Sequence, residues 1–219
     1  MEVMAPYQSA EAVREQTSAH SMPAGLRKCW IYLVAKRIFD FFFASIGLIV
    51  LAIPMAIIAL IIVMDSPGKP IFRQKRIGQN GKVFTIFKFR TMYTYAPSDA
   101  ATNSINTSMY MTKVGKFLRL YSLDELPQLW NVLRGNMSFV GYRPVCLSEQ
   151  RLNQLRDECG VLTTKPGITG YAQINGRDNV MVDEKVQLDL YYVKHCSVLF
   201  DLQCILKTVK VVLTKEGAR

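Results

Sequence analysis

Ser122-Leu123-Asp124-Glu125 places two carboxylates directly behind a hydroxyl. Ser-x-x-Glu is the pattern of a capping box, with Ser122 as N-cap and Glu125 at the third helical position. Acids also suit the first turn of a helix through its dipole, so the bland reading is helix initiation. The same placement has a chemical use. A carboxylate at a helix N-terminus is expected to have a depressed pKa and to stay ionised. It is then ready as a nucleophile or as a divalent-metal ligand. Phosphates bind at helix N-termini as well, and attack of one anion on another needs a cation between them. Mg²⁺ and arginines supply one. Arg119 lies five residues before Asp124, and Arg134 and Arg143 follow it.

The surrounding pattern shows which elements would hold these groups. Ile71–Ile77 and Lys82–Arg90 flank Gln79-Asn80-Gly81, and Asn-Gly is a strong hairpin signal. Alternation puts Phe84, Ile86, Lys88 and Arg90 on one face, so two cations meet at one strand end. Tyr93–Thr112 is rich in Ser, Thr, Asn and Ala and reads as a flexible loop. Helical spacing runs from Lys113 to Leu133, with a second start at Ser122. Turn residues Pro166-Gly167, Gly170 and Asn175-Gly176 surround a short strand, Ile168–Ile174. Asp201–Leu213 is amphipathic, its stripe formed by Leu202, Ile205, Leu206, Val209, Val212 and Leu213. It packs on the core by default, with a membrane surface as the alternative.

Upstream lies a run of 24 residues, Phe41–Met64, with no charge. A straight helix of that length reaches about 36 Å, against about 30 Å of hydrocarbon. Two features oppose a plain span. Pro54 sits mid-run and breaks or bends the helix. Basic residues also flank both ends: Lys36 and Arg37 before, Lys69, Arg73, Lys75 and Arg76 after, and the positive-inside bias draws both flanks to the cytoplasm. A re-entrant helix and a plain span both remain open on these residues alone. Residues 1–35 read as a mobile tail, 36–64 as the membrane segment and 65–219 as a basic globular domain on the cytoplasmic side.

The chain has 219 residues, 50% hydrophobic and 20% charged, which excludes a disordered polymer. Five cysteines without a C-x-x-C and two histidines argue against a disulfide framework or a zinc site. The net charge is +10, and residues 65–219 carry 22 Lys/Arg against 13 Asp/Glu. Such a domain suits anionic partners. A membrane-anchored basic binding module is therefore one alternative to an enzyme, and an inactive assembly scaffold is another.

The stretch from Ser122 to Pro144 (SLDELPQLWNVLRGNMSFVGYRP) resembles the signature of the bacterial sugar transferases, the monotopic phosphoglycosyl transferases. Lys36-Arg-Ile-Phe-Asp40, Ser66-Pro-Gly-Lys-Pro-Ile-Phe72, Phe87-Lys-Phe-Arg-Thr-Met92 and Lys165–Arg177 (KPGITGYAQINGR) extend the match in the same order. The resemblance implies transfer of a phosphosugar from a UDP-sugar to undecaprenyl phosphate on the cytoplasmic face of a bacterial inner membrane. UMP is released and nucleic acid has no part. It implies Asp124 as nucleophile and Mg²⁺ ligand, with Glu125 as its partner. Lys88, Arg90, Arg119, Arg143, Gln173 and Arg177 fall among the phosphate- and substrate-binding positions. Mg²⁺ is the implied cofactor, membrane lipid a partner, and a homo-oligomer is left open. The implied fold is α+β: a mostly helical, membrane-associated domain with β-hairpin elements and an N-terminal re-entrant membrane helix broken at Pro54. Three positions depart from the family pattern. Ile53-Pro54 replaces Ser-Pro, Tyr142-Arg143-Pro144 replaces Pro-Arg-Pro, and Asn136 replaces an Asp.

Overall fold

A computed structural model describes residues 30–97, 109–175 and 181–214. Residues 1–29 of the tail expected over 1–35, most of the Tyr93–Thr112 loop and Arg177 lie outside the described residues, whereas residues 30–35 of that tail are helical.

The apolar run forms two helices, α1 (Trp30–Val50) and α2 (Ala52–Asp65), which meet at a 60° bend. The break therefore falls at Leu51, three residues before Pro54, and α1 begins six residues ahead of the expected start. Pro54 stands in the first turn of α2. A proline displaces the carbonyl four residues earlier, here that of Val50, and offers it no N–H. The bend appears one turn upstream for that reason. Neither helix alone is long and apolar enough to cross a membrane, whereas the bent pair meets that criterion together.

The hairpin follows as the alternation requires. Strands β1 (Ile71–Ile77) and β2 (Val83–Phe89) pair antiparallel, with Ile71 opposite Phe89 and Ile77 opposite Val83. Asn80 and Gly81 adopt φ of 55° and 72° in the turn, a region that Asn and Gly tolerate best. Helix α3 (Lys113–Leu120) is capped by Thr112, whose Oγ1 accepts from the Gly115 N–H at 2.9 Å. A Cβ on Gly115 would run into the Thr91 carbonyl, so only glycine lets α3 sit this close to the end of β2.

The expected helix from Lys113 to Leu133 is in fact three pieces. After α3 comes a 3-10 segment, Leu123–Gln128, which runs into the short helix α4 (Leu129–Leu133). Ser122 does not cap it. Its backbone is left-handed (φ 56°, ψ 21°) and its side chain makes no capping bond, so the capping box is not formed. The chain reverses at Ser122, whose N–H returns to the Arg119 carbonyl.

Strand β3 (Ser138–Val140) pairs in parallel with β4 (Gly167–Thr169). The strand expected over Ile168–Ile174 ends at Thr169, because residues from Tyr171 wind into helix α6 (Tyr171–Asn175). Helices α5 (Gln150–Glu158), α7 (Val182–His195) and α8 (Val198–Thr214) complete the fold. The described residues form a mostly helical α+β arrangement with two small two-stranded sheets.

The main core joins Val140, Tyr142, Leu152, Leu155, Val161, Leu190 and Val193, drawn from β3, α5 and α7 with their connections. Two smaller cores tie in the apolar helices. Ala44 of α1 packs with Ile86, Val132 and Met137, and Ile62 of α2 packs with Phe89 and Leu118. Helix α8 docks through an unexpected face. Asp201 and Cys204 are buried and Thr208 bonds Thr169 Oγ1, whereas Leu202, Leu206 and Val209 of the apolar stripe are exposed. The reason is polar: the Asp201 carboxylate accepts from Tyr32, Lys36 and Tyr192, and these bonds set the helix rotation.

Inside the main core Arg156 pairs with Asp189 at 2.6 Å, both almost wholly buried, and also donates to the Arg143 carbonyl at 2.9 Å. Removing one member of such a pair strands a buried charge and costs about 3–5 kcal/mol, whereas replacing both with apolar residues is near neutral. Arg156→Met is thus expected to lower unfolding free energy by about 3–5 kcal/mol in chemical denaturation. The double change Arg156→Met with Asp189→Leu should recover most of that loss.

Candidate active site

The 3-10 segment presents Asp124 and Glu125 toward β2. Glu125 Oε1 accepts from Lys88 Nζ at 2.8 Å and from Arg143 Nη2 at 2.9 Å. Lys88 reaches it from β2, and Arg143 from the loop after β3. Three segments distant in sequence thus converge on one carboxylate. Asp124 is buried, and among the described residues no hydrogen bond to its carboxylate is present. Arg119, on the last turn of α3, donates from Nε to Thr91 Oγ1 at 3.0 Å, and its charge also acts on Asp124.

The two carboxyls are driven apart. Burial pushes the Asp124 carboxyl above its ordinary value; Lys88 opposes this, and the neighbouring Glu125 charge adds to it. Glu125 is also penalised by burial, yet the Arg143 guanidinium and Lys88 ammonium hold it well below the usual range. The expectation of a depressed Asp124 is therefore corrected. A 3-10 segment entered through a left-handed residue gives no N-terminal α-turn to stabilise the charge, and both direct cation contacts go to Glu125.

The other candidate positions divide. Arg90 leaves the group: it is buried, and it caps the end of α2. Its Nη1 donates to the Pro67 carbonyl at 2.8 Å, and its Nη2 to the Ser66 carbonyl and, at 2.9 Å, to Ser66 Oγ. Lys88 and Arg90 share a strand face, but the chain leaves β2 after Phe89, so the two cations serve different ends. Gln173 spends its amide on the Ile168 carbonyl at 2.8 Å, within the turn from β4 into α6. Reasoning from the sequence missed Arg156, which holds the Arg143 backbone from the core. An Arg and an Asp 33 residues apart carry no pairing signal in one dimension.

Among the described residues of the site, a metal would find one unbonded carboxylate, that of Asp124. Among the described residues no group of three or more His, Cys, Asp or Glu is clustered. The unbonded Asp124 carboxylate is a hard oxygen ligand, and Mg²⁺ commonly takes one or two carboxylates and completes its shell with water and phosphate. The donor set fits that ion and does not fit zinc.

A sequence model described as "Bacterial sugar transferase" matches residues 31–215. The chain belongs to the bacterial sugar transferase family. It is 40% identical over 201 residues to the galactosyl transferase CpsE of Streptococcus agalactiae serotype III, covering 86% of this chain and 44% of that protein. It is 40% identical over 181 residues to the UDP-glucose:undecaprenyl-phosphate glucose-1-phosphate transferase of Escherichia coli K12, covering 80% and 39%. The chain spans about two fifths of the length of these relatives. The sugar transferase EpsL of Bacillus subtilis is 39% identical over 186 residues, covering 84% of this chain and 90% of EpsL.

Because Glu125 raises Asp124, and also draws Lys88 and Arg143 to itself, neutralising it acts in one direction. Glu125→Gln is expected to move the Asp124 titration midpoint to lower pH, as followed by carboxyl-carbon NMR. An unchanged or raised midpoint would show that the two carboxyls are not coupled.

Proposed function

We propose that this chain is a phosphoglycosyl transferase that moves a phosphosugar from a UDP-sugar to undecaprenyl phosphate and releases UMP. The observation that carries the reading is the pair itself: a desolvated, unbonded Asp124 beside a Glu125 neutralised by Lys88 and Arg143. Relatives at about 40% identity are named for transfer from UDP-glucose to undecaprenyl phosphate, which supports the reaction class we assign.

The chemistry follows from the roles. An Asp124 oxygen attacks the sugar-bearing β-phosphorus of the UDP-sugar. The bond from that phosphorus to the bridging oxygen breaks, and UMP leaves with the bridging oxygen. A phosphate oxygen of undecaprenyl phosphate then attacks the aspartyl phosphorus. This frees Asp124 and yields the lipid diphosphate sugar. A raised Asp124 pKa makes the carboxylate more basic and the nucleophile stronger once ionised. Glu125 remains ionised and holds Lys88 and Arg143 at the rim, where they meet the diphosphate charge, with Arg119 alongside. Arg177 is assigned to the same charge. Mg²⁺, held by Asp124 and substrate phosphates, would neutralise the diphosphate and stabilise departing UMP.

We assign the bent pair α1–α2 as a re-entrant membrane element. Ile49, Val50, Ile53, Leu60 and Met64 are exposed apolar side chains on it, a surface that water does not suit. Trp30 and Ile31, with Val198, Leu199, Leu202 and Leu206 of the tethered α8, extend the apolar surface toward the membrane interface. The alternative of a basic binding module fits less well, since Lys88, Arg90, Arg143 and Arg156 are engaged within the domain.

Purified protein in nanodiscs, given UDP-sugars, Mg²⁺ and no lipid acceptor, tests the nucleophile. Asp124→Asn is expected to abolish the burst of UMP, and excess EDTA to reduce the wild-type rate to background. A normal burst from Asp124→Asn would remove that residue from the role. Topology is checked with single cysteines near residues 20 and 100 in a cysteine-free background. Both should resist an impermeant thiol reagent in intact cells and react after lysis; labelling of the residue-20 site in intact cells would establish a plain span.

A further inference from the structure

Strand β2 carries Lys88 and lies in a small sheet. Among the described residues it pairs with β1 alone, and its second edge faces α4. A strand edge buried without partners costs free energy for every unmet N–H and C=O. At that edge stands Asn131, a fully buried residue of α4. Its Nδ2 donates to the Thr85 carbonyl at 2.7 Å, and its Oδ1 accepts from the Phe87 N–H at 3.1 Å.

The pattern has a specific meaning. In a parallel ladder one residue donates its N–H to the carbonyl of residue i−1 and accepts from the N–H of residue i+1 on the neighbouring strand. Thr85 and Phe87 stand in that relation about Ile86. A side-chain amide has one donor group and one acceptor on a single plane, so Asn131 supplies what one residue of a third strand would. It does so next to the position that matters, because Phe87 immediately precedes Lys88.

The backbone of Asn131 completes the junction. Its carbonyl accepts from the N–H groups of Asn136 at 3.0 Å and Met137 at 3.2 Å, which start the turn into β3 and on to Arg143. The residue itself belongs to α4, continuous with the 3-10 segment that carries Asp124 and Glu125. All three segments that meet at Glu125 are therefore joined through Asn131.

We propose that Asn131 is the positioning residue of this site: its amide stands in for a missing strand, fixes β2 against the Asp124–Glu125 segment, and so keeps Lys88 on Glu125. The catalytic consequence rests on the phosphoglycosyl transferase reading above; the placement of Lys88 does not. Asn131 touches no reacting atom, and it acts through Lys88.

Two measurements test this, one of them independent of activity. In amine footprinting with an acylating reagent, read by mass spectrometry, Lys88 in Asn131→Ala should be modified several-fold faster than in wild type. Val161→Ala, a cavity variant in the main core, is the control for lost stability and should leave Lys88 reactivity unchanged. In the UMP-release assay Asn131→Ala should lower kcat roughly 10- to 100-fold with little change in KM for the UDP-sugar, the scale of a misplacement near 1 Å. Added to Lys88→Ala, it should cost almost nothing further, since the group it positions is gone. Should Asn131→Ala fail to fold, Asn131→Ser, smaller and still polar, is read in the same two assays. Unchanged Lys88 reactivity, or losses that multiply in the double variant, would overturn the proposal. If wild type releases no UMP while Lys88 reactivity still rises in the variant, the enzymatic reading fails and the placement stands.

Discussion

Two adjacent carboxylates drawn out of water cannot both be charged without help. Much of the described structure can be traced to that constraint. Glu125 takes the help, from Lys88 and Arg143, and Asp124 is left unbonded with its carboxyl raised. Neither cation is local. Lys88 arrives from the hairpin and Arg143 from the far side of β3, so the pair is solvated by tertiary structure instead of by water. Each cation is in turn secured from elsewhere. Arg156, itself matched to Asp189, holds the Arg143 carbonyl. The backbone at Phe87, just before Lys88, is held by the Asn131 amide.

The same logic reaches the apolar helices. Beyond Phe89 the chain is gripped by Arg90, which gathers the closing carbonyls of α2. Helix C-terminal carbonyls lack intrahelical donors, and a guanidinium with several N–H groups satisfies more than one of them. At the other end of the pair, one face of α1 carries Lys36, Arg37 and Asp40. Lys36 bonds Asp201 of α8, Arg37 caps the Val132 and Leu133 carbonyls of α4, and Asp40 accepts from Ser138 Oγ and the Phe139 N–H. The bent pair is thus an integral wall of the domain rather than an anchor on a leash.

How much of this is legible in one dimension depends on the range of the interaction. The hairpin is, because alternation and Asn-Gly are local signals, and its strands run within a residue of the expected bounds. The break in the apolar run is, to within one turn, because the effect of Pro54 falls on the carbonyl four residues back. The Asp124-Glu125 pair stands out by composition, but its electrostatics do not. Ser-x-x-Glu suits a capping box, yet here Ser122 is left-handed and its N–H bonds the Arg119 carbonyl, so the pattern alone does not separate a cap from a reversal. Arg90 and Lys88 look equivalent on the strand, and the carbonyls that claim Arg90 belong to residues 62–67. The α8 stripe misled for a like reason: three hydroxyl and ammonium donors for Asp201 outweigh the pull of the leucines toward the core. The signals that fail are those whose partner lies far along the chain.

If the bent pair enters a membrane, as proposed above, the site has a geometric problem that the tethers address. One substrate is a water-soluble nucleotide sugar and the other a lipid phosphate under the reading proposed here, so the depth of Asp124 relative to the bilayer decides whether both can reach it. One part of that depth, the offset of Asp124 from the apolar helices, is set wherever those helices are fastened to the domain. Fastening through apolar contacts alone would allow sliding, since such contacts are non-directional. Hydrogen-bonded caps are directional. Arg37 of α1 binds backbone carbonyls of α4, and Arg90, just after β2, binds those at the end of α2; their positions are those of the fold itself. The two arginines grip on either side of the segment that bears Asp124, one through the helix that follows it and one through the strand packed against it. Under that reading, the position of Asp124 relative to the apolar helices is defined by main chain and does not rest on apolar side-chain contacts alone.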